Sequence, residues 1–284
     1  MMDRRFTTLI AADELLALQA GKTATVVVDC SFDLADPDDG EAAWSAAHLA
    51  GSFYLHLDRD LSGTKNGRNG RHPLPERAAF AATLGRLGIT PATQVVALDR
   101  QGGPYASRLW WLLRWMGHEA VAVLDGGLDA WRAAGGAVDA QTPVAKTAAP
   151  YPDRTPLAAT TSADALIAQL GRVRLIDARA GERFRGEVEP LDKVAGHIPG
   201  AANRFFKDNL AAGGRFKPAE VLRAEYEALL GRDAAAQVIH QCGSGVTACH
   251  NLLAMEHAGL AGSRLYAGSW SEWSADPSRP VAVG

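Results

Sequence analysis

Short runs of β-branched and apolar residues punctuate the first half of the chain: VVVD (26–29), QVVALD (94–99) and VAVLD (121–125). Between them, ERAAFAATLGRLG (76–88) and ASRLWWLLRWMG (106–117) place apolar residues at helical spacing. Apolar strands with no polar alternation need cover on both faces. The pattern therefore predicts a small parallel sheet with helices on both faces, an α/β fold.

The same blocks then recur in the same order. VVVDC, ending at Cys30, matches RLIDA, ending at Ala178, and AAHLAGS (46–52) matches AGHIPGA (195–201). QVVALD (94–99) matches QVIHQC (237–242), and LDGGLDAW (124–131) matches YAGSWSEW (266–273). Order and spacing preserved together indicate a duplicated unit. QTPVAKTAAPYPDRTP (141–156) is rich in Pro, Ala and Thr and has no apolar period, which suits an extended linker. The predicted organisation is one domain over 1–140, the linker, and a second domain over 157–284.

A length of 284 residues agrees with two domains. A composition 47% hydrophobic and 21% charged is that of a folded protein rather than a disordered one. The net charge of −3 lacks the basic excess that nucleic-acid or membrane-surface partners call for, which favours a small-molecule ligand. Asp13 and Glu14 interrupt the N-terminal segment before a signal-peptide core forms, so that segment reads as mature sequence. No stretch approaches the roughly 20 apolar residues of a membrane span, and a cytoplasmic protein is expected. No ligand cluster or dinucleotide fingerprint appears, so no metal or organic cofactor is implied.

The chain has three cysteines, Cys30, Cys242 and Cys249, too few and too irregularly spaced for a disulfide framework. QVIHQCGSGVTACHNLLAMEHAG reads as a buried strand, a Gly-rich turn and an amphipathic helix, with Cys242 where the strand ends. Parallel sheets bind ligands at the carboxyl ends of their strands. A turn entering a helix aims its N–H groups at whatever occupies it, so the amides from Gly243 through Gly245 and Val246 to Thr247 would favour an anionic sulfur. Most free cysteines are simply small buried residues, and that reading is retained for Cys30 and Cys249. A cysteine phosphatase loop needs Arg six residues after the nucleophile, where this chain has Ala248. A hydrolase elbow needs Gly two residues either side of Ser244, where Cys242 and Val246 stand.

CGSGVTAC (242–249) resembles the active-site loop of the 3-mercaptopyruvate sulfurtransferases in the rhodanese superfamily, and AGHIPGA, LDGGLDAW, DARAGERFRG and GSWSEW resemble further blocks of that family. The resemblance spans nearly the whole chain and implies two rhodanese-like domains in tandem. It also implies a first domain without the nucleophile, which agrees with Asp99 and Arg100 at the position matching the cysteine.

The resemblance assigns further roles. An Asp and a His from the loop 54–75, with a Ser two places after the cysteine, map onto Asp58, His72 and Ser244 as a proton relay to the departing enolate. The carboxylate-binding arginine maps onto Arg183, since a guanidinium clamps a carboxylate through two N–H groups. A second substrate arginine would fall at Leu191, leaving Arg185 or Lys193 as replacements, while Arg179 reads as a structural ion pair.

The expected reaction is attack of the Cys242 thiolate on 3-mercaptopyruvate, release of pyruvate, and passage of the persulfide sulfur to cyanide or a thiol acceptor such as thioredoxin. Thiosulfate is the rival donor, disfavoured because Gly243 and Ser244 supply no cation. A non-catalytic rhodanese-like binding module is the rival from another class.

Overall fold

The computed structural model describes residues 5–284, so the first four residues of the N-terminal segment lie outside the described residues. The chain divides into two compact units. The first comprises residues up to Ser62, Pro75–Leu157 and Ala212–Arg215; the second comprises Gly63–Leu74, Ala158–Ala211 and Phe216–Gly284. The segment 63–74 thus belongs with the second unit, although it lies in the first half of the sequence.

In the first unit the strands are β1 (Leu9–Ile10), β2 (Thr25–Asp29), β3 (His48–Leu49), β4 (Phe53–Tyr54), β5 (Gln94–Leu98), β6 (Val121–Leu124) and β7 (Val138–Asp139). Five form a parallel sheet in the order β1-β6-β5-β2-β4, while β3 and β7 pair antiparallel. The second unit contains β8 (Ala159–Thr161), β9 (Arg174–Asp177), β10 (Ala202–Asn203), β11 (Val238–Gln241) and β12 (Arg264–Tyr266). Its sheet runs β8-β12-β11-β9-β10, all parallel. The two orders correspond strand for strand, so the sequence duplication is a duplication of topology.

The central strands β5 and β11 are buried along their whole length, which explains their lack of polar alternation. Helix Pro104–Trp115 covers β5 and β6, and helix Thr247–His257 covers β11 and β12. Each sheet also rests on an apolar core that includes a tryptophan of the repeated block. In the first unit Val96, Leu98, Leu124, Leu128 and Trp131 meet; in the second, Leu175, Ile239, Tyr266, Trp270 and Trp273 do. The repeated tryptophans anchor the following chain in the same way. Trp131 Nε1 donates to the Ala137 carbonyl and Trp273 Nε1 to the Pro280 carbonyl, each at 2.8 Å, so neither buried indole leaves its donor unmet.

Segment 141–156 has no helix or strand but is not detached from the first unit. Ala148 N donates to Gly85 O, Tyr151 N donates to Ala81 O, and Tyr151 is buried. Among the described residues no helix is long and apolar enough to cross a membrane.

Candidate active site

Cys242 stands where β11 ends and the turn into helix Thr247–His257 begins, and it is buried. The block 268–271 holds this turn through its backbone. Trp270 N donates to Cys242 O and Ser271 N to Gly243 O, both at 2.9 Å, while Cys242 N donates to Ser269 Oγ at 3.1 Å. Gly245 has φ +77°, and a Cβ there would lie 2.2 Å from Ala267 O, so the turn requires glycine at that position. Cys249, one helical turn on, donates its Sγ–H to Gly245 O at 3.4 Å from within the buried helix face. Cys30 is fully buried in the first unit. Val246 caps the helix, and Thr247 is its first residue.

The first unit shows what this kind of turn holds. Asp99, at the position equivalent to Cys242, is buried, and its carboxylate accepts from the amides of Gln101 (3.0 Å), Gly103 (2.7 Å), Tyr105 (2.8 Å) and Ala106 (2.9 Å). Burial pushes the Asp99 carboxyl above its usual range against the opposing pull of those amides. In the first unit the turn after the central strand is thus an anion cradle. The chain's own carboxylate fills it, and in the second unit Cys242 stands at the equivalent position.

Segment 63–74 brings two more groups to the second unit's turn. His72 is buried, and its Nδ1 is hydrogen bonded to Ser244 Oγ at 2.7 Å. Next to it, Arg71 donates its backbone N–H to Ser271 Oγ at 2.9 Å, and its Nη1 donates to Asp192 Oδ1 at 2.8 Å. The Arg71 guanidinium stands over Gly243, its Nη2 lying 3.1 Å from where a Cβ would be. Arg183 also reaches this point, with Nη1 and Nη2 at 3.5 and 3.7 Å from that position. Its Nη2 donates to Glu189 Oε1 at 2.6 Å, which fixes the guanidinium plane. Asp192 pairs with both arginines, lying 3.5 Å from Arg183 Nη2, and burial holds its pKa above the usual carboxylate value while Arg71 lowers it.

Of the residues expected from the sequence, the second unit therefore gathers Cys242, Gly243, Ser244, Gly245, Val246, Thr247, His72 and Arg183. Asp58 belongs to the first unit, where its N–H donates to His56 Nδ1 at 3.1 Å. Arg185, a proposed replacement for the missing arginine, is half exposed and paired with Glu187. Leu191 is 44% exposed. The second cation at the turn is Arg71, which sequence reasoning missed although it adjoins His72. Arg179 is a buried ion pair, with Nε and Nη2 both on Asp177 and Nη2 also donating to Gly196 O.

A duplicated parallel sheet with a cysteine at the turn after one of its two central strands defines a class. The chain belongs to the rhodanese-like domain family, which matches residues 11–134 and 161–276. It is 46% identical over 285 residues to a probable 3-mercaptopyruvate sulfurtransferase of Pseudomonas aeruginosa, covering 97% of this chain and 98% of that one. It is 40% identical over 289 residues to a putative thiosulfate sulfurtransferase of Mycobacterium tuberculosis, covering 100% of this chain and 99% of the other. Among solved structures, a 3-mercaptopyruvate sulfurtransferase from Leishmania major is similar with a TM-score of 0.84 at 29% identity, over 94% of this chain and 74% of that one. The chain is a sulfurtransferase of this family acting on a small-molecule sulfur donor.

Proposed function

We propose that this sulfurtransferase takes its sulfur from 3-mercaptopyruvate and carries it as a persulfide on Cys242. The observation that carries this reading is the hydroxyl of Ser244, two residues after Cys242, held 2.7 Å from the imidazole of buried His72. Thiosulfate releases sulfite, which needs no proton on carbon. Mercaptopyruvate releases the enolate of pyruvate, which does.

In the proposed cycle the donor carboxylate is clamped by Arg71 and Arg183, whose guanidiniums stand over Gly243. Cys242 Sγ attacks the donor sulfur, forming the S–S bond as the C–S bond breaks, and the bonding electrons leave on the methylene carbon as the enolate. The donor's thiol proton is taken up through the Ser244–His72 pair and returned to that carbon, giving pyruvate and the Cys242 persulfide anion. An acceptor thiolate then attacks the outer sulfur and leaves with it, regenerating the Cys242 thiolate. Thioredoxin, a small thiol or cyanide would serve as acceptor, and the cytoplasm, where such thiols are kept reduced, is the proposed compartment.

Thiosulfate is the second reading, and Arg71 and Arg183 favour it. The absence of a cation at Gly243 and Ser244 does not leave the turn without positive charge, so charge alone does not exclude a dianionic donor. Asp192 and Glu189, which neutralise part of that charge, favour a monocarboxylate over a dianion. Measurement of kcat/KM with both donors tests the proposal. A higher value for mercaptopyruvate is expected, and an equal or higher value for thiosulfate would overturn it.

A further inference from the structure

Ser269 holds a backbone conformation that residues with side chains avoid. Its φ is +54°, the one positive value at a non-glycine position among the described residues, and the residue is fully buried. Such a conformation persists where the surroundings over-determine it, and its presence at a functional site asks for a reason.

The duplication supplies a control within the same chain. Matching LDGGLDAW to YAGSWSEW puts Gly127 in the place of Ser269, and Gly127 has φ +55°. The fold thus requires the same left-handed backbone in both units, and only the second meets it with a residue that carries a side chain. In the first unit a Cβ at Gly127 would lie 2.4 Å from the carbonyl oxygen of Asp99, the residue equivalent to Cys242. In the second unit that space is used. The Ser269 hydroxyl accepts from Cys242 N at 3.1 Å and donates to Tyr266 O at 2.9 Å. Since Trp270 N donates to Cys242 O, consecutive residues hold the peptide groups on both sides of the Cys242 Cα.

We infer that Ser269 is a positioning residue for sulfur transfer: its hydroxyl fixes the peptide preceding Cys242 and with it the direction in which the sulfur leaves the backbone. The inference rests on Cys242 being the persulfide carrier. A nucleophile aimed wrongly loses rate, while a donor gripped by Arg71 and Arg183 keeps its affinity, so the effect falls on kcat and not on KM.

The test compares Ser269→Gly and Ser269→Ala with the unaltered chain for kcat and KM with 3-mercaptopyruvate and for Tm. Ser269→Gly suits the conformation that Gly127 adopts and removes the hydroxyl together with the strain of carrying a side chain there. Ser269→Ala removes the hydroxyl and keeps the strain, so it should melt below Ser269→Gly. Both should lose about 10- to 100-fold in kcat with KM changed by no more than about twofold, on the scale of a nucleophile misplaced by about 1 Å. A kcat at the unaltered level in either variant, or loss of the fold in both, would overturn the inference. Cys242→Ser, assayed beside them, separates the two claims. Activity in that variant would remove the persulfide assignment itself, whereas an inactive Cys242→Ser beside a fully active Ser269→Gly would remove only the role given to Ser269.

Discussion

His72 Nδ1 lies 2.7 Å from Ser244 Oγ across 172 residues of sequence, and both side chains are buried. In the proposed mechanism this hydroxyl, in the turn that carries Cys242, serves as a proton conduit. A conduit is needed for a carbanionic leaving group and not for sulfite.

Ser244→Ala should therefore lower kcat with 3-mercaptopyruvate by about 10²- to 10⁴-fold, the usual scale of general acid–base catalysis, and lower it only a few-fold with thiosulfate. His72→Asn should behave alike. Steady-state kinetics with both donors check this. An equal loss with the two donors would assign the pair to holding the turn and not to proton transfer.

Arg71→Ala and Arg183→Ala should each raise KM for 3-mercaptopyruvate by roughly 10- to 100-fold, because a charge-assisted hydrogen bond to a carboxylate is worth about 1.5–3 kcal/mol. Arg185→Ala, which removes an exposed pair with Glu187, should leave KM unchanged. A rise in KM in the Arg185 variant alone would move the carboxylate site away from Gly243.

His240, fully buried on β11 and near Met255 Sδ, has its pKa pushed down to about 3 by burial. The unfolded chain, with an ordinary histidine value of about 6.5, takes up a proton there that the folded chain refuses. This contribution to stability is complete above pH 6.5 and is lost as pH falls toward 3, by up to about 1.4 kcal/mol per pH unit. Urea unfolding at pH 7 and pH 5 should show a larger loss for the unaltered chain than for His240→Leu. Parallel losses would mean that His240 is protonated in the folded chain.

The duplication was legible because its blocks lie on strands and on the turns that end them, and those local signals survive in the letters. Cys242 was legible for the same reason, being set between a strand, two glycines and a helix. Arg71 was not. It sits in a loop from the first half of the sequence that belongs to the second unit, so its approach to Gly243 is a tertiary relationship with no local signature. Family spacing puts a second arginine at Leu191, which is exposed, while the charge comes from another segment. Ser269 was legible only as a letter in GSWSEW. Its match to Gly127 gains meaning from the shared positive φ, which neither sequence block displays.

The central claim is that sulfur resides on Cys242 between the two half-reactions. Treatment with 3-mercaptopyruvate without acceptor, followed by alkylation, proteolysis and mass spectrometry of the cysteine peptides, tests it most directly. A gain of about 32 Da, one sulfur atom, is expected on the peptide bearing Cys242, with its disappearance on addition of an acceptor thiol and no gain on Cys30 or Cys249. An unmodified Cys242, or a sulfur found on either of the other two cysteines and discharged from there, would contradict it.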